Sequence, residues 1–271
     1  MLTISFWNAK QKAACESAAR LVRSHEADIL ILAECPFDDA EMLEALHAVG
    51  SHGFWSSTPF TGSDLIILTR LLRGSFGMVQ DMSRLALREI RCRDGSRILL
   101  AMVHLMSKMW RTHNDQRKAA EDVIGDIVSH EGQDRKTIIV GDFNMNPFEE
   151  GMVNANAFHA LKSRKEVRMN RQIDRTVYTP FYNPTWGLLG DRGGRPPGTF
   201  RRVGGVYCLF WNLFDQVLLR EGLIGCFDED SLRILEDDGQ ISFLGRAGVN
   251  RRISDHLPIM FRMNLEVEIE D

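Results

Sequence analysis

Short apolar segments of strand length recur along the chain, and most of them run directly into a polar residue that could take part in chemistry. Residues 29–33 precede Glu34, and residues 98–103 precede His104. An unbroken apolar run of about four to eight residues predicts a strand that is buried on both faces. Such strands need helices or another sheet on each side, so the pattern favours an α/β layered fold.

Helical patterns fall between the predicted strands. Apolar residues in the segment 114–129 recur at helical spacing, which predicts a helix with one buried face. The Asp94-Gly95 pair predicts the turn of a hairpin. The other predicted elements are helices at 11–25 and 39–49 and strands at 3–7, 28–33, 65–69, 84–92, 97–104, 137–141, 214–219 and 257–261.

The chain of 271 residues shows no internal repeat and no clear linker, so we predict a single domain over residues 1–271. Hydrophobic residues make up 44% and charged residues 26%, which is typical of a soluble globular protein. Five cysteines without a CxxC pair argue against a disulfide framework or a zinc knuckle. We find no secretory signal and no apolar run of about 20 residues, so we expect no transmembrane segment and a cytoplasmic location.

Charge is distributed unevenly along the chain. The formal net charge is −4, but residues 157–206 contain ten Lys or Arg and three Asp or Glu, which makes that stretch +7 and the remainder −11. Residues 187–205 are rich in Gly, Pro and Arg, so we predict a basic, Gly/Pro-containing insertion near 160–206. Its interleaved aromatic residues would suit a polynucleotide. A solvated loop has the same composition, and charge alone favours that interpretation.

Eight polar side chains lie at the predicted strand ends. Such ends carry binding and catalytic sites in open α/β sheets, because the strands are rigid and their loops are free to vary. Taken singly, each residue has a structural explanation, since Asp and Asn make turns wherever strands end. Their joint occurrence indicates a site. The residues are Asn8, Glu34, His104, Asp142, Asn144, Asp215, Asp255 and His256.

Six short motifs surround these residues. They are W-N at 7–8, A-E at 33–34, V-H-L at 103–105, G-D-F-N at 141–144, F-D-Q-V-L at 214–218 and S-D-H-L-P at 254–258. The set resembles the endonuclease/exonuclease/phosphatase superfamily of deoxyribonuclease I-like proteins, in the family's order and over nearly the whole chain. The resemblance implies a four-layer α/β sandwich of two packed mixed β-sheets flanked by helices.

The resemblance also implies a divalent-metal centre. Glu34 and Asp255, with the amide of Asn8, would be the metal ligands. Hard oxygen ligands of this kind suit Mg²⁺ or Mn²⁺, which bind substrate phosphate oxygens directly. The ion would polarise the phosphoryl group and stabilise the charge that develops on it.

Catalytic roles follow from the same resemblance. Asp142 would orient or deprotonate the attacking water, and Asn144 would position that water or hold the phosphate. His256 would donate a hydrogen bond to the phosphate or move a proton, with Asp215 fixing its orientation. His104 would contact the phosphate or assist the leaving group.

For the residues that contact the substrate, the sequence leaves alternatives. Asn8 is a candidate substrate-binding residue because it belongs to the predicted metal centre. Asp64 either partners His104 or only begins a strand, and Arg117 either reaches a phosphate or lies on the surface of a helix. Trp211 lies four residues before Asp215, which places it near the site in sequence. Its ring could stack on a base or anchor a loop.

The sequence therefore predicts a divalent-metal-dependent phosphoesterase. A nuclease or phosphodiesterase that hydrolyses nucleic-acid phosphodiester bonds is the first hypothesis, with nucleic acid as the substrate. The alternative is a phosphatase or phosphodiesterase of a small or lipid-linked ester, such as an inositol phosphate, a nucleotide or a sphingolipid. A third hypothesis is a binding module of the same fold that has lost its activity.

Overall fold

The structure is a computed structural model that describes residues 1–59, 62–108, 112–204, 209–246 and 248–270, without the side chain of Arg192. Residues 205 and 206, at the end of the predicted basic insertion, lie outside the described residues.

In this part of the chain, the helices are α1 (Ala14–His25), α2 (Asp39–Ala48), α3 (His113–His130) and α4 (Glu150–Val153). Short 3₁₀ turns lie at Glu166–Arg168, Pro184–Leu188, Arg192–Gly194 and Glu221–Cys226. The strands are β1 (Leu2–Asn8), β2 (Ile29–Ala33), β3 (Trp55–Ser56), β4 (Leu65–Thr69), β5 (Phe76–Met82), β6 (Leu85–Arg91), β7 (Arg97–His104), β8 (Thr137–Asp142), β9 (Ala160–Leu161), β10 (Arg171–Ile173), β11 (Thr176–Tyr178), β12 (Phe181–Tyr182), β13 (Phe200–Arg201), β14 (Trp211–Asn212), β15 (Asp215–Leu219), β16 (Phe227–Ile234), β17 (Leu244–Gly245), β18 (Gly248–Val249) and β19 (Ile259–Met263).

Two large sheets organise the fold. The first has the strand order β16-β19-β1-β2-β4-β3, and the second has the order β5-β6-β7-β8-β15-β12-β9. In the first sheet, β1 runs parallel to β2 and antiparallel to β19. In the second, β8 runs parallel to β7 and antiparallel to β15. Both sheets are therefore mixed, as the resemblance implied.

The two sheets pack face to face, and helices cover them. Ile138 and Val140 of β8 belong to the core that includes the first sheet, whereas Ile139 belongs to a second core with residues of α3. Successive side chains of a strand point to opposite faces, so β8 is buried on both sides, which explains its uniformly apolar sequence. Leu21 of α1 and Met42 of α2 join the core of the first sheet. The predicted four-layer sandwich is confirmed.

Central strands agree closely with the sequence prediction. Leu65–Thr69 and Arg97–His104 have the predicted bounds, and the turn at Gly95 joins β6 to β7 as an antiparallel hairpin. α1 begins at Ala14 rather than at residue 11. The sequence prediction misses β5 and β16, which are edge strands of the two sheets with several exposed side chains each. Edge strands lack the continuous apolar pattern by which buried strands are recognised.

A capping box fixes the start of α3. The side chain of Thr112 accepts a hydrogen bond from the backbone N–H of Asp115, whose side chain accepts one from the backbone N–H of Thr112. The helix start places Gln116 where its amide nitrogen donates to the carbonyl oxygen of Asn144, at 2.9 Å. The beginning of α3 therefore supports one of the predicted site residues.

The basic segment is partly built into the second sheet. Its strands β9 and β12 form one edge of that sheet, next to β15. Its other strands form small two-stranded ribbons outside the large sheets, β10 with β11, and β13 with the later strand β14. The first ribbon precedes β12, whereas β14 of the second ribbon precedes β15.

Among the described residues, no helix combines the length and the apolar character that a membrane crossing requires. The longest helix, α3, runs for 18 residues and carries charged side chains along its length. The cytoplasmic location stays a prediction.

Candidate active site

Strand register brings the polar strand ends of both sheets together. At the edge of the second sheet, His104 pairs with Asp142, and Asp142 pairs with Asp215 at the start of β15. In the first sheet, Asn8 at the end of β1 lies level with the end of β2, and Glu34 follows β2 directly. Parallel neighbours end at the same edge of a sheet, so residues distant in sequence meet there.

Asn8 joins the two sheets at this edge. Its amide nitrogen donates to Oε1 of Glu34 and to Oδ2 of Asp142, each at 3.1 Å. Asn8 is buried, and a buried amide that donates twice to carboxylates holds both of them in place. The predicted metal ligand Glu34 and the predicted base Asp142 therefore lie on either side of one side chain.

His256 and Asp215 form a buried pair. Nδ1 of His256 lies 2.9 Å from Oδ2 of Asp215, and Nε2 lies 3.8 Å from Oδ2 of Asp142. Burial alone would lower the pKa of His256, but the charges of Asp215 and Asp142 outweigh it and raise the pKa to about 9. The imidazole is therefore protonated at neutral pH, with one carboxylate beside each ring nitrogen.

His104 forms a second pair of the same kind, with Asp64. Nδ1 of His104 lies 2.6 Å from Oδ2 of Asp64, and Nε2 lies 3.2 Å from Oε1 of Glu34. Burial would lower the pKa of His104, but the hydrogen bonds to Asp64 and Glu34 raise it to about 10. Asp64 contacts His104 and also directly precedes β4, so both arrangements considered from the sequence occur together, and its role in substrate binding stays a prediction.

Asp142 lies at the centre of the cluster. Its Oδ2 faces Nε2 of His256 at 3.8 Å and Nε2 of His104 at 3.9 Å, and it also accepts the hydrogen bond from Asn8. Complete burial raises the pKa of the Asp142 carboxyl, against the opposing influence of His256. A carboxylate with a raised pKa and positive neighbours is suited to receive a proton from water.

Two residues with positive φ lie at the end of β8 and in the turn that follows it. Gly141 has a φ of 153°, and a Cβ at this position would lie 1.9 Å from the carbonyl oxygen of Val103 in the neighbouring strand. Asn144 adopts a left-handed φ of 51°, and its backbone N–H donates to Oδ1 of Asp142 at 2.7 Å. The Asn144 amide nitrogen donates to the carbonyl oxygen of Leu105 at 2.9 Å, so that group supports the turn.

Two motif residues fix the backbone around His256. Trp7 Nε1 donates to the carbonyl oxygen of His256 at 2.9 Å. Ser254 Oγ donates to the carbonyl oxygen of Asn8 and accepts the backbone N–H of His256 at 3.1 Å. The motifs W-N and S-D-H-L-P therefore contact each other, and the first strand holds the loop before the last one.

Lys10 is a site residue that the sequence prediction missed. Its ammonium lies 3.3 Å from Oε2 of Glu34 and 3.5 Å from Oδ2 of Asp255. The hydrogen bond from His104 is the main cause that lowers the pKa of Glu34, so this carboxylate is ionised. Lys10 follows Asn8 closely in sequence, but both of its acidic partners are distant in the chain.

The side chains present fit a divalent cation. Oδ1 of Asn8 and Oδ1 of Asp255 are buried and have no hydrogen-bond partner among the described residues. Buried oxygens without partners are costly unless a ligand satisfies them. Together with Glu34, they form a set of hard oxygen donors of the kind that Mg²⁺ and Mn²⁺ use.

A second set of possible ligands lies beside the first. One atom each of Asp142, Asp215 and His256 lies within 4.8 Å of the others. Oδ1 of Asp215 is also buried without a hydrogen-bond partner in the described part of the chain. The site therefore offers a second pair of carboxylates, whereas the His256 imidazole, protonated at neutral pH, could bind a metal only after losing its proton.

Part of the basic segment contacts the site. Phe200 of β13 forms an isolated backbone bridge to His256, and the two rings lie 4.8 Å apart between centroids. Trp211 of β14 pairs with Arg201 in the same ribbon, and its half-buried ring packs against the main core. The guanidinium of Arg251 donates to the carbonyl oxygen of Arg201 at 3.2 Å.

Arg117 lies on α3, and its contacts are within that helix. Its guanidinium pairs with Glu121 and donates to Oδ1 of Asn114 at 2.9 Å. The neighbouring residue Gln116 is the one that reaches the site, through Asn144. A substrate-binding role for Arg117 stays a prediction.

An open groove lies beside His104. It has a volume of about 380 Å³ and is lined by Gly62, Ser63, Asp64, Ser83, Arg84 and His104. Arg84 adds a positive charge that the sequence prediction did not single out. Its carbonyl oxygen accepts the backbone N–H of His104, so the groove is tied to the end of β7.

Comparisons with known proteins agree with this fold. The chain matches the solved structure of an AP endonuclease from Archaeoglobus fulgidus with a TM-score of 0.61 and 14% sequence identity, and the match covers 97% of this chain and 100% of that one. It matches the 3′ phosphatase NExo from Neisseria, bound to product DNA hairpin, with a TM-score of 0.55 and 14% identity over 97% of this chain and 99% of that one. It also matches D. rerio TDP2 complexed with single strand DNA product, with a TM-score of 0.56 and 16% identity over 96% of this chain and 97% of that one. Comparison with curated proteins finds no match.

Fold and site together define a phosphoester hydrolase of the deoxyribonuclease I-like class. A sequence comparison assigns residues 13–256 to the endonuclease/exonuclease/phosphatase family, and the chain belongs to this family. The family consists of divalent-metal-dependent enzymes that hydrolyse phosphate esters.

Proposed function

We propose that this enzyme hydrolyses phosphodiester bonds in nucleic acid and uses Mg²⁺ or Mn²⁺. The observation that carries the proposal is the contact between the ribbon β13–β14 and His256, because strand β13 of this ribbon belongs to the basic segment 157–206. Two of the similar structures contain DNA: the 3′ phosphatase is bound to a product DNA hairpin, and TDP2 is complexed with a single-strand DNA product. These complexes support nucleic acid as the substrate class of this chain.

Side chains on the ribbon suit a polynucleotide. Phe210 is 52% exposed, and the guanidinium of Arg201 lies 5.9 Å from the centroid of its ring. Exposed aromatic rings stack on bases, and guanidinium groups bind phosphates along a backbone. Arg251 and Arg252 are exposed and immediately precede the loop that carries His256. Positive charge and an aromatic face therefore lie together at the site.

The other ribbon of the basic segment lies away from the site. β11 leads into β12, where Tyr182 pairs with Leu219. Leu219 is four residues along β15 from Asp215, or about 13 Å at the rise of a strand. Arg171 and Arg175 are exposed on this remote ribbon. They provide a matched control for the arginines near His256.

The chain's own residues perform most of the reaction that we propose. Asp142 receives the proton of the attacking water, because burial raises its pKa and its Oδ2 faces the centre of the site. His256 donates a hydrogen bond to the phosphate from Nε2, with Asp215 holding the ring from Nδ1. General acid–base help of this kind contributes roughly 10²–10⁴-fold to a rate. Asn144 holds the Asp142 turn in place through its backbone N–H.

On the other side, protonated His104 faces the phosphate or the leaving group, with Asp64 behind it. Asn8, Glu34 and Asp255 would hold the metal. A bound Mg²⁺ or Mn²⁺ would neutralise the charge that develops on the phosphoryl oxygens. We propose Trp211 and Arg84 as further substrate contacts, because one belongs to the ribbon at His256 and the other lines the groove at His104.

A turnover panel tests the substrate class. Single- and double-stranded DNA, RNA, abasic DNA and inositol phosphates are each incubated with the full chain in Mg²⁺ or Mn²⁺. Parallel reactions contain EDTA or the His256→Ala variant. We expect cleavage of a polynucleotide that disappears in both controls. Turnover of inositol phosphates alone, with no cleavage of any polynucleotide, would replace this proposal with the small-ester alternative. No turnover of any ester, with a folded protein, would support the inactive binding module.

Two double variants test the basic ribbon. Replacing Arg251 and Arg252 with Ala should weaken polynucleotide binding and lower the slope of log affinity against log salt by about 1–2, since each phosphate contact contributes about 0.9. Replacing Arg171 and Arg175 with Ala removes the same charge at the remote ribbon and should leave the slope nearly unchanged. Equal effects of the two double variants would contradict the placement of nucleic acid along β13–β14.

A further inference from the structure

Lys10 occupies the place that the predicted metal ligands define. Its ammonium lies between two carboxylates from different loops, 3.3 Å from Oε2 of Glu34 and 3.5 Å from Oδ2 of Asp255. The two acidic residues follow β2 and precede β19, so only the folded chain brings them together. The Lys10 side chain is 47% exposed, which leaves it free to move toward solvent.

Lys10 offsets part of the negative charge of Glu34 and Asp255. Two carboxylates that face one another repel unless a cation separates them. The Lys10 ammonium lies within 3.5 Å of one oxygen of each carboxylate, so it is a cation that separates the two. One oxygen of each carboxylate contacts Lys10, which uses part of the donor set that a divalent ion requires.

The remaining donors point to a different occupant. Oδ1 of Asn8 and Oδ1 of Asp255 are buried and lack hydrogen-bond partners among the described residues. An ammonium group contacts neither of them at hydrogen-bond distance. A divalent ion satisfies several oxygens at once, because Mg²⁺ takes six donors in an octahedron. Two cations cannot share Glu34 and Asp255 without strong mutual repulsion.

We propose that Lys10 competes with the divalent ion for Glu34 and Asp255, so that metal binding requires the ammonium to leave. Lys10 then holds the carboxylates together in the metal-free enzyme and sets the metal concentration at which the centre fills. The inference rests on the metal centre of the proposed function. It assigns to this lysine a role in tuning that centre.

Metal binding without substrate provides the test. The full-length protein, freed of metal by chelation, is titrated with Mn²⁺, and bound ion is measured by electron paramagnetic resonance and by calorimetry. Lys10→Met should bind Mn²⁺ about tenfold more tightly than the wild type, because the competing charge is gone. Lys10→Arg keeps the charge and should not gain affinity.

Lys12→Met is the matched control. Lys12 lies two residues away and pairs with Glu41, so its loss removes the same charge outside the metal ligands. Wild-type affinity in both Lys10→Met and Lys12→Met, or weaker binding in Lys10→Met, would overturn the competition. Absence of Mn²⁺ binding in every variant would instead refute the metal centre, so the two failures are distinguishable.

Thermal unfolding gives a second measurement that does not depend on affinity fits. Metal-free Lys10→Met should melt below the wild type, because Asp255 loses the Lys10 ammonium and Glu34 keeps only its contact with His104. Saturating Mn²⁺ should raise its Tm by more than it raises the Tm of the wild type. Equal increases in the two proteins would contradict the proposal even if Lys10→Met folds poorly without metal.

Discussion

Two histidine–carboxylate pairs face Asp142 from opposite sides, and they differ in how firmly they are held. In each pair a carboxylate binds Nδ1 and the ring directs Nε2 toward the same Asp142 oxygen, at 3.8 Å for His256 and 3.9 Å for His104. The side chain of Asp215 is completely buried, whereas that of Asp64 is 46% exposed. The same chemical unit therefore occurs once inside the protein and once at its surface.

The surroundings reinforce this difference. The loop of His256 is held by Trp7 and Ser254, and the ring of Phe200 covers the imidazole. His104 opens onto the groove that Asp64 lines. Water screens exposed charges, so they gain little free energy from pairing, whereas the charge of a buried carboxylate is screened much less. The buried pair is thus suited to fixed geometry, and the exposed pair to adjusting around a substrate.

The largest effect should come from the residue that both pairs share. Asp142→Asn keeps the shape of the side chain but removes the charge that faces both imidazolium groups. We expect kcat/KM to fall by about 10⁴-fold, at the upper end of general base effects. Steady-state kinetics on the substrate identified by the turnover panel measures it, with the melting temperature as a control for folding. Retention of a tenth of the activity would show that Asp142 is not the base.

The next test separates the two pairs directly. Asp215→Asn should lower kcat by about 10²-fold, because the ring of His256 loses its orienting charge. Asp64→Asn should lower kcat by less than about tenfold, since the partner is exposed and His104 keeps its contact with Glu34. Kinetics of the two variants under identical conditions give the ratio. Similar losses in both would remove the distinction between a buried and an exposed pair.

A pH profile sharpens the comparison further. Asp215 and Asp142 raise the pKa of His256 to about 9, so its proton is lost as pH rises through that value and kcat/KM should fall there. Asp215→Asn removes one raising influence, so the pKa decreases and the fall moves to lower pH. Asp64→Asn should shift the profile less. The profile of kcat/KM from about pH 6 to 10 measures both, and a fall at unchanged pH in Asp215→Asn would refute this assignment.

The smallest effect concerns stability. Asp64→Ala should lower the free energy of unfolding by no more than about 1 kcal/mol, because its carboxylate is half exposed and water screens its contact with His104. Trp7→Phe should cost about 1–3 kcal/mol, since it leaves the buried carbonyl oxygen of His256 without this hydrogen bond. Denaturant unfolding monitored by fluorescence or circular dichroism compares the two. A greater loss in Asp64→Ala than in Trp7→Phe would contradict the difference in anchoring.

Much of this arrangement could be predicted from the sequence. Strands such as Leu65–Thr69 are uniformly apolar because both of their faces are covered, and such runs have clear bounds. The polar residues at strand ends follow from those bounds, so most of the residues around Asp142 can be identified from the sequence alone. Residue types that suit phosphate chemistry, in the family's order, then indicate the class of reaction.

The remainder depends on contacts between distant segments. Lys10 has no motif of its own, and its role arises only where Glu34 and Asp255 approach it in space. The contact of Asp64 with His104 likewise forms only where the segment before β4 meets the end of β7. The edge strand Phe227–Ile234 escapes detection because its acidic side chains face solvent. The sequence does not encode these features locally.

Pairing of β1 with β19 has a consequence for the synthesis of the protein. Asn8 lies at the end of β1 and His256 lies shortly before β19, and hydrogen bonds from Trp7 and Ser254 join the two segments. A chain still emerging from the ribosome lacks β19, so β1 has an open edge and the imidazole of His256 is absent. The hydrolytic centre is therefore completed only after β19 has been synthesised and has paired with β1, so a chain that stops before residue 256 cannot form it.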